Sequence, residues 1–188
     1  MKIILGSQSK GRKKMLEEMG YEFEVMLADI DEKAIRFEDP RELTLALARA
    51  KADALKSKIS EPAILITADG VVICNGQILE KPENEEQAKE FLRGYATFSA
   101  EVVTAIVVTN AKTGKQAEGT DSTKVYFTQF SEEEIDELIQ KGDVFPLAGA
   151  FDVEGPIWGS HLKKIEGTRD GAMGLPKDLT ERLIREVQ

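Results

Sequence analysis

The sequence predicts an α/β domain. Strand-like apolar runs alternate with amphipathic helical stretches, Asn75-Gly76 gives a strong hairpin signal, and 188 residues are enough to bury a sizeable core. The composition is that of an ordinary folded protein, 41% hydrophobic and 31% charged, with no low-complexity tract and no long block of like charge. One domain is therefore expected.

The charge balance narrows the function. Lys and Arg total 25 against 34 Asp and Glu, a formal charge of −9, which argues against a broad nucleic-acid or anionic-membrane surface. Any anion this chain binds has to be held in a local pocket. A single cysteine excludes an internal disulfide, and Cys74 in its apolar hairpin is expected to be buried and inert. His161, the one histidine, cannot supply a Cys/His metal cluster, and a catalytic Cys74–His161 pair has little support. The opening residues have neither the length nor the flanks of a signal peptide or membrane span, so a cytosolic protein is expected.

The elements follow in order. Lys2–Leu5 is a strand, Gly6–Ser9 a tight polar loop, and Lys10–Met19 a helix with Met15, Leu16 and Met19 on its apolar side and Gly20 at its end. Lys10, Arg12, Lys13 and Lys14 crowd the helix start, where free backbone N–H groups already favour anions. That loop can hold phosphate oxygens through Ser7 and Ser9, with Arg12 adding a bidentate contact. Ser9 as a simple N-cap, with the basic residues solvated, is the other reading. Tyr21–Met26 alternates like a half-buried strand and ends in the acidic loop Asp29, Asp31, Glu32. Asp39-Pro40 opens a long helix to about Lys58, with Leu43, Leu47, Ala50 and Ala54 predicted on its buried face and Lys51 among small neighbours.

The stretch that carries most of the chemistry is Ile64–Pro82, ILITADGVVICNGQILEKP. Ile64–Ile66 is predicted as a buried strand delivering Asp69 to a turn at Gly70. Val71–Cys74 and Gln77–Leu79 form a hairpin around Asn75-Gly76 that delivers Lys81 before Pro82. An acid so placed could be a general base or a metal ligand, although Asp-Gly is equally a common turn dipeptide, and Lys81 could be a solvated edge lysine. Asn84 caps a helix through about Arg93. Glu101–Thr109 and Asp121–Phe130 make an antiparallel pair joined by a turn at Lys112–Gly114, and Ser131 opens a capping-box helix ending near Lys141-Gly142. Gly142–Gly155 is turn-rich, with a short strand predicted at Ala150–Val153 and Glu154 at its end. Trp158 could be core, dimer surface or ligand platform. Leu162–Ile165 is a strand, Gly167–Pro176 a loop, and Pro176–Glu186 the last helix.

Four motifs in this order resemble one family. LGSQSKGRKKML is similar to LASxSPRRxxLL, and TADGVVICNGQILEKP to ADTVVxxDGxxLGKP. AGAFDVEG and IEGTRDGAMGLP are similar to AGxYxxxG and IxGxxxxVxGLP. Over nearly its whole length the chain resembles the Maf family of nucleoside triphosphate pyrophosphatases. The resemblance implies a two-lobed α/β fold, a mixed sheet with flanking helices and a central cleft, of the kind found in inosine triphosphate pyrophosphatases. It implies hydrolysis of a nucleoside triphosphate to the monophosphate and pyrophosphate with a divalent metal ion, Mg or Mn, and suggests a homodimer. On this mapping Ser7, Arg12, Lys51 and Lys81 bind phosphates, Asp69 is the catalytic acid, and Asp31 or Glu32 joins Asp69 in holding the metal. These roles suit the chemistry, because a triphosphate transition state needs its charge neutralised by cations rather than by covalent chemistry.

Three positions depart from the family pattern or select within it. Gly11 stands where the motif has its first arginine, and Gly70 where the motif has threonine after the acid. Glu154 replaces the glutamine of the pyrimidine-preferring branch and matches the branch acting on 7-methyl-GTP. A glutamate there could accept hydrogen bonds from a guanine N1–H and 2-amino group. Base specificity is therefore assigned to Gly11, Gly70 and Glu154. The leading expectation is an enzyme that removes a modified or non-standard nucleotide. A non-catalytic nucleotide-binding or regulatory protein on the same fold is the alternative.

Overall fold

The computed structural model describes all 188 residues. Seven strands form a mixed sheet whose path runs β2-β1-β3-β5-β6-β7, with β4 paired to β3. The strands are β1 (Lys2–Leu5), β2 (Phe23–Val25), β3 (Ala63–Cys74), β4 (Gln77–Leu79), β5 (Ala100–Asn110), β6 (Gln116–Phe127) and β7 (Leu162–Glu166). By contacts the chain divides into two compact units, the first Met1–Gly70, Val103–Asp121 and Met173–Gln188, the second Val71–Val102 and Ser122–Ala172.

In the first unit β1 pairs in parallel with β2 and with β3, Leu5 opposite Ile66. Ser9 caps α1 (Lys10–Glu18), its hydroxyl accepting from Arg12 N, and Gly20 at φ +80° takes the chain out of the helix. Asp39 caps α2 (Pro40–Lys56), one carboxylate oxygen accepting from Arg41 N at 2.8 Å and Glu42 N at 3.0 Å. Strand alternation then sorts the core onto two sides of β3. Ile64, Ile66 and Ala68 pack with Met15 and Leu16 of α1 and with Leu183, Ile184 and Val187 of α7 (Lys177–Val187). Leu65 packs with Leu55 of α2, and the Thr67 hydroxyl donates to Ala48 O of the same helix at 2.9 Å.

The second unit is built on aromatic packing. Trp158, on α5 (Pro156–His161), is buried with its ring 5.3 Å from Phe127 and 5.2 Å from Phe130, so it is a core residue. The same unit contains α3 (Glu85–Gly94), α4 (Glu132–Lys141) with the predicted capping box at Ser131 and Glu134, and α6 (Arg169–Ala172). His161 Nε2 lies 3.0 Å from the Glu134 carboxylate, which that contact holds below the ordinary carboxylate range. Cys74 is buried, and burial pushes its thiol up, as an inert core cysteine requires.

Five expectations are corrected. Asp69-Gly70 is no turn: β3 runs unbroken from Ala63 to Cys74, and Gly70 has no positive φ. Sheet neighbours hold this backbone extended and override the local turn preference. The hairpin turn expected at Asn75-Gly76 is present, with φ of 50° and 73° and Cys74 facing Gln77. On α2 the buried residues are Leu43, Thr44, Leu47, Ala48, Ala52 and Leu55, so the face is rotated away from Ala50 and Ala54, which are half-buried. Residues Ala150–Val153 are not a strand. Gly149 and Ala150 have φ of 64° and 52°, with Gly149 fixed by Glu80 O and by the Tyr95 hydroxyl. Finally, β6 begins at Gln116 rather than Asp121 and ends at Phe127, and the loop at Gly167–Pro176 contains α6. No helix is long and apolar enough to cross a membrane.

Candidate active site

Period-two alternation puts Asp69 on the same side of β3 as Thr67, facing α2. Lys51, one turn beyond the buried Leu47 and Ala48 on α2, meets it there, with Nζ 2.5 Å from Asp69 Oδ1. The same ammonium is 2.9 Å from Glu32 Oε1. The Lys51 and Asp69 side chains are 13% and 12% exposed and Glu32 56%, so a nearly buried ion pair is joined to solvent by a third, exposed carboxylate. Lys51 thereby fixes the direction of the Asp69 carboxylate. Asp31 does not join them: its carboxylate accepts from Lys33 N at 3.1 Å and caps the 3-10 turn Glu32–Ala34.

Ser7 and Arg12 come together one strand away. The Ser7 hydroxyl accepts from Ser9 N at 3.2 Å and from Arg12 Nη1 at 3.1 Å. Arg12 Nη1 also donates to Ala68 O at 2.8 Å, and Nε to Gly174 O at 3.1 Å. Burial pushes the Arg12 guanidinium below its ordinary value, while the charges of Asp69 and Glu32 pull it back up. All its hydrogen bonds described above go to neutral oxygens.

The two glycines that depart from the family pattern have separate reasons. A Cβ on Gly11 would stand 2.9 Å from Met173 O, so the close approach of that carbonyl to α1 excludes a side chain. A Cβ on Gly70 would stand 3.3 Å from both Arg12 Nη2 and Thr104 Oγ1, a tight but tolerable fit. Thr104, on β5, is wholly buried and its hydroxyl has no hydrogen-bond partner. Sequence reading missed this residue. Its only sequence signal is a threonine inside the apolar run VVTAIVV, which β propensity alone explains.

Lys81 and Glu154 belong to the second unit. Lys81 follows β4 and is exposed. Glu154 lines a cavity of about 230 Å³ with Asp143, Asp152, Lys141, Ile157 and Trp158. Glu154 Oε1 lies 3.9 Å from Arg169 Nη2. Asp152, which sequence reading also missed, accepts from Val153 N at 2.7 Å and Glu154 N at 3.1 Å. Burial raises its carboxyl above the ordinary range, those two N–H groups oppose the rise, and Glu154 and Asp143 add to it. The cavity is acidic and partly apolar, and the three acids within Asp143–Glu154 were the available sequence signal.

No group of three His, Cys, Asp or Glu side chains is arranged to hold a metal ion. The donor set is two carboxylates, Asp69 and Glu32, converging on one ammonium. Two carboxylates suit magnesium, which keeps several waters and shares its remaining positions with substrate phosphates rather than filling a protein cage.

The chain is similar to known proteins along nearly its whole length. A family model described as Maf-like protein matches residues 2–187. The chain is 46% identical over 192 residues to a 7-methyl-GTP pyrophosphatase of Dictyostelium discoideum, covering 98% of this chain and 96% of that protein. It is 35% identical over 185 residues to a dTTP/UTP pyrophosphatase of Vibrio vulnificus strain YJ016, covering 98% of each. Among solved structures, a nucleoside-triphosphatase / dITP/XTP pyrophosphatase from Mycobacterium abscessus aligns over 99% of this chain and 96% of that one. Its TM-score is 0.43 at 12% identity, too loose a likeness to carry an argument. With the family model spanning nearly every residue and relatives matched along their full length, this chain belongs to the Maf-like proteins.

Proposed function

We propose that this chain is a nucleoside triphosphate pyrophosphatase that hydrolyses a modified guanine nucleotide of the 7-methyl-GTP type to the monophosphate and pyrophosphate. The observation that carries the chemistry is the Asp69–Lys51 pair, a nearly buried carboxylate held in one direction by an ammonium. In this reading Asp69 takes a proton from the attacking water, and Lys51, Arg12, Ser7 and Lys81 receive phosphate oxygens and offset their charge. A divalent ion, Mg or Mn, is part of the proposal. Asp69 and Glu32 would hold it, and it would neutralise charge on the phosphates. Removal of a non-standard nucleotide is the corresponding role.

The preference for the base rests on the acidic cavity. A guanine methylated at N7 carries a positive charge, so the carboxylates of Asp143, Asp152 and Glu154 favour it over a neutral pyrimidine. Glu154 is the group best suited to accept from N1–H and the 2-amino group. The 46% identity to a 7-methyl-GTP pyrophosphatase, against 35% to a dTTP/UTP enzyme, supports the same choice.

Pyrophosphate release from 7-methyl-GTP, GTP, ITP, UTP and dTTP, with and without Mg²⁺ or Mn²⁺, tests all of this. Metal-dependent release that is fastest with 7-methyl-GTP is expected. Glu154→Gln should narrow the lead of 7-methyl-GTP over UTP by about tenfold, the worth of one charge-assisted hydrogen bond. An unchanged profile removes Glu154 from base recognition. Tight binding of triphosphates with no release from any of them would favour the non-catalytic alternative.

A further inference from the structure

Ala150 is buried at φ +52°, a left-handed conformation that crowds its Cβ against the following carbonyl. Outside the Asn75-Gly76 hairpin no other residue with a side chain adopts it. Such strain persists only where the surroundings impose it, and it gathers at functional sites.

The surroundings here are specific. Gly149, next to Ala150, is pinned on both sides: its N–H donates to Glu80 O at 2.9 Å, and its carbonyl accepts from the Tyr95 hydroxyl at 2.7 Å. Tyr95 is 1% exposed, with its ring 6.0 Å from those of Phe127 and Phe151. Burial pushes its phenol far above the ordinary range, so the hydroxyl keeps its proton and serves as a donor. The fit is close, since a Cβ on Gly149 would stand 2.5 Å from Tyr95 Oη and 3.1 Å from Val72 Cγ1 of β3. On one side of this pin Glu80 immediately precedes Lys81. On the other, the buried Phe151 and the Asp152 carboxylate, which accepts from Val153 N and Glu154 N, carry the constraint on to Glu154.

We propose that Tyr95 is a positioning residue that, through the two hydrogen bonds of Gly149, fixes the backbone at Lys81 and at Glu154 relative to each other before substrate arrives. It touches no substrate itself. This inference rests on the reading of Lys81 as a phosphate contact and Glu154 as a base contact. A nucleoside triphosphate that reaches from one to the other then meets both at a set separation, and a preorganised pair costs less to engage than a mobile one. Neither residue takes the proton, so the effect falls on binding and base choice rather than on the chemical step.

The experiment is steady-state hydrolysis of 7-methyl-GTP and UTP by the wild type and Tyr95→Phe, with melting temperatures and amide hydrogen exchange at Gly149 measured alongside. Tyr95→Phe keeps the ring beside Phe127 and Phe151 and removes the hydroxyl alone. It should raise KM for 7-methyl-GTP about tenfold, the worth of one buried hydrogen bond, with kcat within about twofold, and narrow the lead of 7-methyl-GTP over UTP. A role in folding alone would lower the melting temperature and leave KM and base preference as they were, and that result overturns the proposal while the functional reading stands. In the wild type without nucleotide the Gly149 amide should already exchange slowly. Rapid exchange that slows only when nucleotide binds overturns the proposal too, and decides the matter even if Tyr95→Phe does not fold. A wild type that hydrolyses no triphosphate overturns the functional reading, and the proposal with it.

Discussion

The two sides of β3 handle charge in opposite ways. Facing α2, Asp69 is met at 2.5 Å by Lys51, which also reaches Glu32, and the neighbouring Thr67 hydroxyl is satisfied by backbone oxygens. Facing α1, Arg12 donates only to neutral oxygens and Thr104 has no hydrogen-bond partner, with Gly70 and Gly174 packed beside them. The strand thus presents a directly paired acid to α2, while beside its other face lies a buried guanidinium of α1 whose hydrogen bonds go to neutral oxygens and whose charge is offset by Asp69 and Glu32. The two sides are therefore held by different means: the α2 side by a direct ion pair, and the α1 side by hydrogen bonds to neutral oxygens, with the charges of Asp69 and Glu32 acting on Arg12 without a direct bond.

The comparison is broken most severely at Asp69. Asp69→Asn keeps size and shape but cannot take a proton, so pyrophosphate release should fall about 10²–10⁴-fold. Pyrophosphate binding should persist, because the donors on the α1 side are untouched. A variant that remained fully active would remove the catalytic assignment. The next largest effect is expected at the partner. Lys51→Met leaves the Asp69 carboxylate nearly buried without its cation, costing about 3 kcal/mol of stability in urea unfolding. A variant as stable as the wild type would mean that Asp69 finds another partner or sheds its charge, and that the α2 side is not complete by pairing.

Much of this arrangement was legible in the sequence. Lys2–Leu5, the Ser9 cap, the Asp39-Pro40 helix start, the Asn75-Gly76 hairpin and the Ser131 capping box are local signals, and each is found where it was expected. Asp69, Lys51, Ser7 and Arg12 were named from motifs, and the structure brings them together as an Asp69–Lys51 pair and a Ser7–Arg12 pair. The misses share a cause, which is that long-range packing decided what local preference could not. Asp-Gly read as a turn because its sheet partners are distant in sequence, and Ala150–Val153 read as a strand because Tyr95, which holds Gly149, lies more than fifty residues earlier. Thr104 went unnoticed because an unpaired hydroxyl is a property of the packed core, and in sequence it is one more β-branched residue in a strand.

Gly11 and Gly70 sharpen the comparison within the α1 side, since both stand where the family motif has a larger residue. Gly11→Arg should be destabilising by about 1–3 kcal/mol, because its Cβ would press to 2.9 Å on Met173 O, a backbone atom that cannot swing aside. Gly70→Thr should change stability by less than about 1 kcal/mol, and in the stabilising direction. Its Cβ meets Arg12 Nη2 and Thr104 Oγ1 at 3.3 Å, both on side chains that can give by a few tenths of an ångström. A β-branched residue also suits an extended strand better than glycine does, and the new hydroxyl could pair with Thr104. Urea unfolding of Gly70→Thr and Gly11→Arg, with the wild type alongside, measures the difference. If Gly70→Thr proved as destabilising as Gly11→Arg, the Arg12 and Thr104 side chains would be as unyielding as the Met173 carbonyl, and the α1 side of β3 would be as tightly fixed as the ion pair on the other.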